Sequence, residues 1–177
     1  MSERRMLIDP LVLDQGLSTI IGESREGRLA LCTAVAATVS SGIPWEGKVP
    51  KSQAKGPLIV IEELRRVIRD PTNEKHVLAA MDKIRDTIEE TGATYLVAHD
   101  RWHGGTTPRG SAVVIGLSDI VIEVVAFEPE AGFIKLKHIK RSDGPCEEFG
   151  YRVVVKTVGG KAVPVVMGER LVPAEES

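Results

Sequence analysis

The stretch Ile20-Ile21-Gly22-Glu23-Ser24-Arg25-Glu26-Gly27-Arg28-Leu29 decides how the rest of the chain is read. It follows the apolar run Leu17 to Ile21 and opens an alanine-rich helical segment, Ala30 to Val39. A strand, a glycine-bounded turn and a helix in that order bring backbone N–H groups and the positive end of a helix dipole to one point, where a phosphate can sit. The Gly22-x4-Gly27 spacing is that of a phosphate-binding loop, in which Lys and then Ser or Thr come next. Here those positions hold Arg28 and Leu29. The same spacing also fits a plain tight strand–helix turn, because glycines at this separation recur by chance.

The bulk composition narrows the setting. A chain of 177 residues fits one domain with a well-buried core. We read residues 1–172 as that domain and 173–177 as a disordered tail. Only 4% of residues are aromatic, so the core must rest on Val, Ile, Leu and Ala. A formal net charge of −2 argues against a uniformly basic nucleic-acid-binding surface and leaves a local basic patch open. Cys32 and Cys146 lie far apart and point to neither a disulfide framework nor a metal site. No signal-peptide pattern and no membrane-length apolar run is visible, which predicts a cytoplasmic protein with reduced thiols.

Outward from the opening stretch, the pattern alternates. Met6 to Leu13 is apolar and broken by Asp9-Pro10, as an extended leading segment would be. Leu17 to Ile21 reads as a buried strand, and Gly27 to Ser41 as a helix stopped by Gly42 and Pro44. Trp45 to Gly56 is a loop. Leu58-Ile59-Val60-Ile61 is the unbroken apolar run of a central parallel strand, buried on both faces. Asn73 caps a helix to Thr91, with Val77, Met81, Ile84 and Ile88 on one face and Gly92 as its stop. Thr94 to Ala98 is a further strand, and Asp100 to Arg109 a glycine-rich loop. Beyond it, Ile120 to Phe127, Phe133 to Ile139, Tyr151 to Lys156 and Ala162 to Met167 read as strands joined by turns. The pattern predicts an α/β fold: a mainly parallel sheet flanked by helices, extended by a C-terminal antiparallel β-meander.

Three elements stand in a meaningful order. The glycine loop comes first, then the apolar strand ending in Ile61-Glu62-Glu63-Leu64-Arg65-Arg66. Tyr95-Leu96-Val97-Ala98-His99 follows, with Gly104-Gly105 and Arg109-Gly110-Ser111 behind it. Leu7-Ile8-Asp9 ahead of Gly16-Leu17-Ser18 adds to the set, as does the turn Ser41-Gly42-Ile43-Pro44-Trp45-Glu46-Gly47. Together these resemble the RecA-like P-loop ATPase core, and specifically the RepA-like hexameric helicase group of AAA-type ATPases, over roughly Leu7 to Lys140.

The resemblance implies a RecA-like fold that binds ATP with Mg²⁺. The loop residues Gly22, Glu23, Ser24, Arg25, Glu26, Gly27, Arg28 and Leu29 would hold the nucleotide, joined by Lys140, which matches a late lysine of the family. Glu62 would take the place of the Walker B acid at the metal, with Glu63 beside it to orient water. His99 would stand at the γ-phosphate sensor. Arg109 would reach a neighbouring subunit's nucleotide or DNA. The implied setting is a homo-oligomeric ring acting on single-stranded DNA in replication or mobile-element maintenance.

The departures from that pattern are chemical. Arg28 keeps a charge but replaces a compact ammonium by a planar fork. Leu29 has no hydroxyl for magnesium. Lys55-Gly56-Pro57 runs straight into Leu58, where the family carries a strand and helices with a catalytic acid. These changes open a second reading, a non-hydrolysing nucleotide-binding or structural assembly module descended from such an ATPase. A third reading, a metal-dependent hydrolase, would use His99, Asp100 and His103. Trp102 is a candidate for stacking on a nucleic-acid base.

Overall fold

The sheet is built outward from its most buried strand. The computed structural model describes residues 5–46, 56–71, 73–100, 111–142, 144–158 and 160–171. In chain order they form β1 (Met6–Ile8), β2 (Val12–Leu13), β3 (Leu17–Gly22), α1 (Arg25–Ser41), β4 (Leu58–Ile61), a 3-10 turn (Leu64–Arg66), α2 (Glu74–Thr91) and β5 (Thr94–Asp100). After these come α3 (Ser111–Leu117), β6 (Ile120–Glu128), β7 (Phe133–Arg141), β8 (Glu148–Val158) and β9 (Lys161–Leu171).

All six residues of β3 are buried, because it lies between β5 and β6 in a seven-stranded sheet of order β4-β5-β3-β6-β7-β8-β9. The first four strands of that order run parallel, and β7, β8 and β9 continue antiparallel. The strand carrying His99 therefore separates the glycine-loop strand from the strand that ends in Glu62 and Glu63. This is the RecA-like α/β architecture with a C-terminal antiparallel extension.

Crossover handedness sorts the helices. The β3–β4 connection steps toward one edge, whereas β4–β5 and β5–β6 step back toward the other. Right-handed crossovers then place α1 on one face and α2 with α3 on the opposite face. The two cores follow that division. Ile20, Leu96, Ala98 and Ile122 pack with Leu31 and Val35 of α1. Tyr95 and Val97 pack with Val77, Met81, Ile84 and Ile88 of α2 and with Val114 of α3.

The composition of α1 now makes sense. Its apolar residues are spread around the helix instead of forming one stripe, because β9 closes over it from the far side. Val166 of β9, Phe149 and Tyr151 of β8, and Trp45 belong to the α1 core. Trp45 meets the Tyr151 ring edge-on at 5.2 Å. By contrast α2 is one-sided, as its spacing predicts. Asn73 accepts from the Lys75 N–H at 3.0 Å, and Gly92 ends the helix at φ 69°.

Three expectations are corrected. The first helix starts at Arg25 rather than Gly27. Leu58–Ile61 is half-buried along its whole length, yet it pairs only with β5 and forms a lateral edge of the sheet among the described residues, not its centre. A helix, α3, occupies residues read from sequence only as a link to the next strand. Among the described residues no helix is long and apolar enough to cross a membrane.

Candidate functional site

The carboxyl ends of β3, β4 and β5 meet where connections leave the sheet in opposite directions, the position at which open α/β sheets bind ligands. Gly22 ends β3, with Asp100 of β5 on one side and Val124 of β6 on the other. Glycine is needed at this point: a Cβ on Gly22 would sit 2.9 Å from the Val124 carbonyl oxygen.

Only Glu23 and Ser24 separate strand from helix. Ser24 is the N-cap, and its Oγ accepts the Gly27 N–H at 2.9 Å. That cap satisfies a donor which a phosphate loop would turn toward its ligand. Glu26 adds a carboxylate in the first turn, matching the positive end of the dipole. Arg25, Glu26, Gly27, Arg28 and Leu29 are helical, so the segment is a short capped turn and not a wide cradle. Gly27 allows the helix to approach β6 closely, since a Cβ there would lie 2.9 Å from atoms of Val124 and Phe127.

Arg28 is the centre of the arrangement. Its side chain is 4% exposed. The guanidinium turns back into the protein, donating to the Gly22 carbonyl and to Asp100 Oδ1. Asp100 in turn accepts from Arg65, whose Nη1 lies 3.2 Å from Oδ2. Arg65 Nε donates to Glu63 Oε1 at 2.8 Å, and Arg66 reaches the other Glu63 oxygen. A relay of alternating charges thus runs Arg28, Asp100, Arg65, Glu63, Arg66.

Burial lowers the Arg28 pKa from its ordinary value, opposed by the charges of Asp100 and Glu63. For Glu63 burial acts upward, but the Arg65 hydrogen bond and the charges of Arg65, Arg66 and Arg25 outweigh it and hold the carboxyl below the usual carboxylate range. An unpaired buried guanidinium would cost several kcal/mol, so the two acceptors around Arg28 are a condition of its burial.

A cleft of about 450 Å³ opens beside the relay, between α1 and β4. Leu29, Cys32 and Thr33 line it from the helix, with Val60, Glu62 and Arg66 opposite. Leu29 therefore presents an aliphatic wall where a magnesium-ligating hydroxyl is expected. Burial, reinforced by the Glu62 charge, pushes the Cys32 thiol up to about 12.

The other sequence candidates disperse. Strand alternation puts Asp100 on the α1 face with Leu96 and Ala98, and buried His99 on the α2 face with Tyr95 and Val97. His99 and Asp100 thus point to opposite sides of the sheet, against the metal-hydrolase reading. Among the described residues no three His, Cys, Asp or Glu side chains gather around a metal position. Lys140 pairs in register with Val121 at the amino end of β6, away from Gly22. Its Nζ donates to the carbonyls of Ile115 and Gly116 at 3.0 and 2.7 Å, closing the end of α3. Arg109, Trp102 and His103 lie outside the described residues.

Tested against a magnesium nucleoside triphosphate, this donor set does not fit. The cation that would meet the phosphates is spent on Gly22 and Asp100, the cap occupies the Gly27 N–H, and Leu29 offers no metal ligand. Asp100 and its partner Arg65 are the site residues missed by reading the loop alone. The register of β3 with β5, which sets Asp100 opposite Gly22, was the signal for them.

No family model matches the chain, and no curated protein does. Among solved structures, it is similar to the ATPase domain of a replicative helicase, at 11% identity and a TM-score of 0.42, over 82% of this chain and 74% of that one. At those values the likeness concerns the general course of the chain, and the fold assignment rests on the strand order and handedness above.

Proposed function

We propose that this chain is a non-hydrolysing structural assembly module of RecA-like architecture, in which the position of the phosphate loop is closed by the protein's own ion pair. One observation carries the reading: the buried Arg28 guanidinium is bonded to the Gly22 carbonyl and to Asp100. A phosphate entering there must displace a carboxylate already in contact with the only loop cation that is buried. The two sheet edges support an assembly role, since among the described residues β4 and β9 each pair on one side alone. Phosphate release from ATP, measured with and without single-stranded DNA, tests the proposal. Turnover equal to that of Glu62→Gln supports it, and Mg²⁺-dependent turnover above that variant overturns it.

A second reading has its own observation. Arg25, Arg65 and Arg66 lie with Arg28 at the carboxyl ends of the parallel strands, where anionic ligands of α/β sheets collect. This favours an ATP-binding, DNA-acting domain whose relay opens when nucleotide arrives. Saturable binding of a labelled ATP analogue that requires Mg²⁺ would select this reading.

A further inference from the structure

We infer that the β8–β9 ribbon is a docking element for duplex nucleic acid, gripping its phosphates through Arg152, Lys156 and Lys161. This goes beyond the closed-loop reading and does not depend on it.

The ribbon overruns the sheet. Pairing of β8 with β7 ends at Phe133↔Arg152, and Val153 still donates to the Gly132 carbonyl at 2.7 Å. From Val154 to Val158, β8 pairs only with β9 among the described residues. At about 3.3 Å per residue this stretch projects roughly 17 Å. Because β8 runs parallel to β6, the projection leaves at the sheet end that also holds Gly22 and Asp100. Register places Val158 opposite Lys161, and Gly160 takes φ 77° just before the return strand.

Charge is sorted onto one side of this ribbon. Arg152 and Lys156 are separated by an even number of residues and share a face. Lys161 stands opposite Val158 and so joins the same face. All three are exposed, and none makes an ion pair or hydrogen bond among the described residues. The face continues onto β7 through Phe133, Lys135 and Lys137. There Lys135 is paired with Glu148, and the Phe133 ring lies across Gly150, 2.6 Å from where a Cβ would be. Residues 133–161 carry seven Lys and Arg against three Asp and Glu, in a chain of formal net charge −2. The basic character is therefore local and concentrated where the sheet protrudes. The exposed apolar residue of the projection, Val155, lies on the opposite side, so the basic face is not an apolar contact surface.

The partner chemistry follows from shape and charge. Three unpaired cations along an extended edge match a line of phosphates, whose neutralisation releases counterions. A two-stranded ribbon is of a width that the major groove of duplex DNA, about 12 Å across, admits. A single strand offers no groove to seat the tip.

The test is fluorescence anisotropy of the full chain with a labelled duplex of about 20 base pairs at roughly 50 mM salt, where phosphate contacts are strong. Wild-type protein is expected to bind the duplex at least about tenfold more tightly than a single strand of equal length. The triple variant Arg152→Glu, Lys156→Glu, Lys161→Glu is expected to lose at least about tenfold in affinity, and the slope of log affinity against log salt should fall by roughly 2–3. A control, Lys75→Glu with Lys83→Glu on α2, should bind as wild type does, and circular dichroism establishes that each variant is folded. Absence of duplex binding, an unchanged triple variant, an equal loss in the control, or equal affinity for the single strand overturns the inference.

Discussion

The guanidinium of Arg28 and the carboxylate of Asp100 are joined across 72 positions of sequence, at the point where β3 and β5 end side by side. The pair has a sharp energetic consequence. Asp100→Asn removes the counter-charge from a guanidinium that stays buried, and should lower stability by about 2–3 kcal/mol, at or below the lower bound for breaking a buried pair because Asp100 is itself part-exposed. Urea unfolding measures it. Arg65→Ala, at a side chain 54% exposed, should cost under about 1 kcal/mol. Equal losses at the two positions would contradict the account.

Gly27 separates a packing role from a ligand role. Alanine at a helical position gains up to about 1 kcal/mol over glycine. Here its Cβ would meet Val124 and Phe127 at 2.9 Å, and overpacking of that kind costs about 1–3 kcal/mol. Gly27→Ala should therefore destabilise the chain without any ligand present. A stabilised variant in thermal unfolding would show that α1 does not press on β6 as described.

The pH dependence follows from Glu63. Its folded carboxyl lies below the ordinary range, so its contribution to stability is fully present above the unfolded value, about 4.3. That contribution is lost as pH falls through the folded value. Melting temperature should hold between pH 7 and about 5 and then drop on further acidification. Glu63→Gln should flatten that drop. The opposite trend, with stability rising into acid, would mean that the carboxyl is not held by Arg65 and Arg66.

Thiol chemistry reports on the cleft. Cys32 is buried with its thiol pushed up to about 12, while Cys146 is exposed. A thiolate-selective reagent at pH 8 should label one cysteine in the folded protein and both after denaturation. Rapid native labelling of Cys32 would show that α1 separates readily from β4.

Much of the fold was legible because local patterns agreed. Leu17 to Ile21, Leu58 to Ile61 and the one-sided face of α2 each announced their element. The capped start at Ser24 was harder to see, since Gly27 drew the helix boundary two residues too late. The edge position of β4 was hidden because both of its faces are partly covered, so its apolar run looks like that of a central strand. Seven residues of α3 carry too short a period to read. At the site, the loop glycines and the altered Arg28 and Leu29 were plain. The closure by Asp100 was not, because it depends on a parallel register between distant strands. Lys140 was misplaced for the same reason: its distance from Gly22 is set by the β6–β7 pairing.

The most direct measurement is the thermal stability of the intact chain with a non-hydrolysable ATP analogue, with and without Mg²⁺. A ligand held at about 100 times its Kd would add about 2.7 kcal/mol, on the order of 5–10 °C for a chain of this size. With Arg28 committed to Gly22 and Asp100, the melting temperature should not move in either condition. A rise of several degrees that requires Mg²⁺ would contradict the closed site.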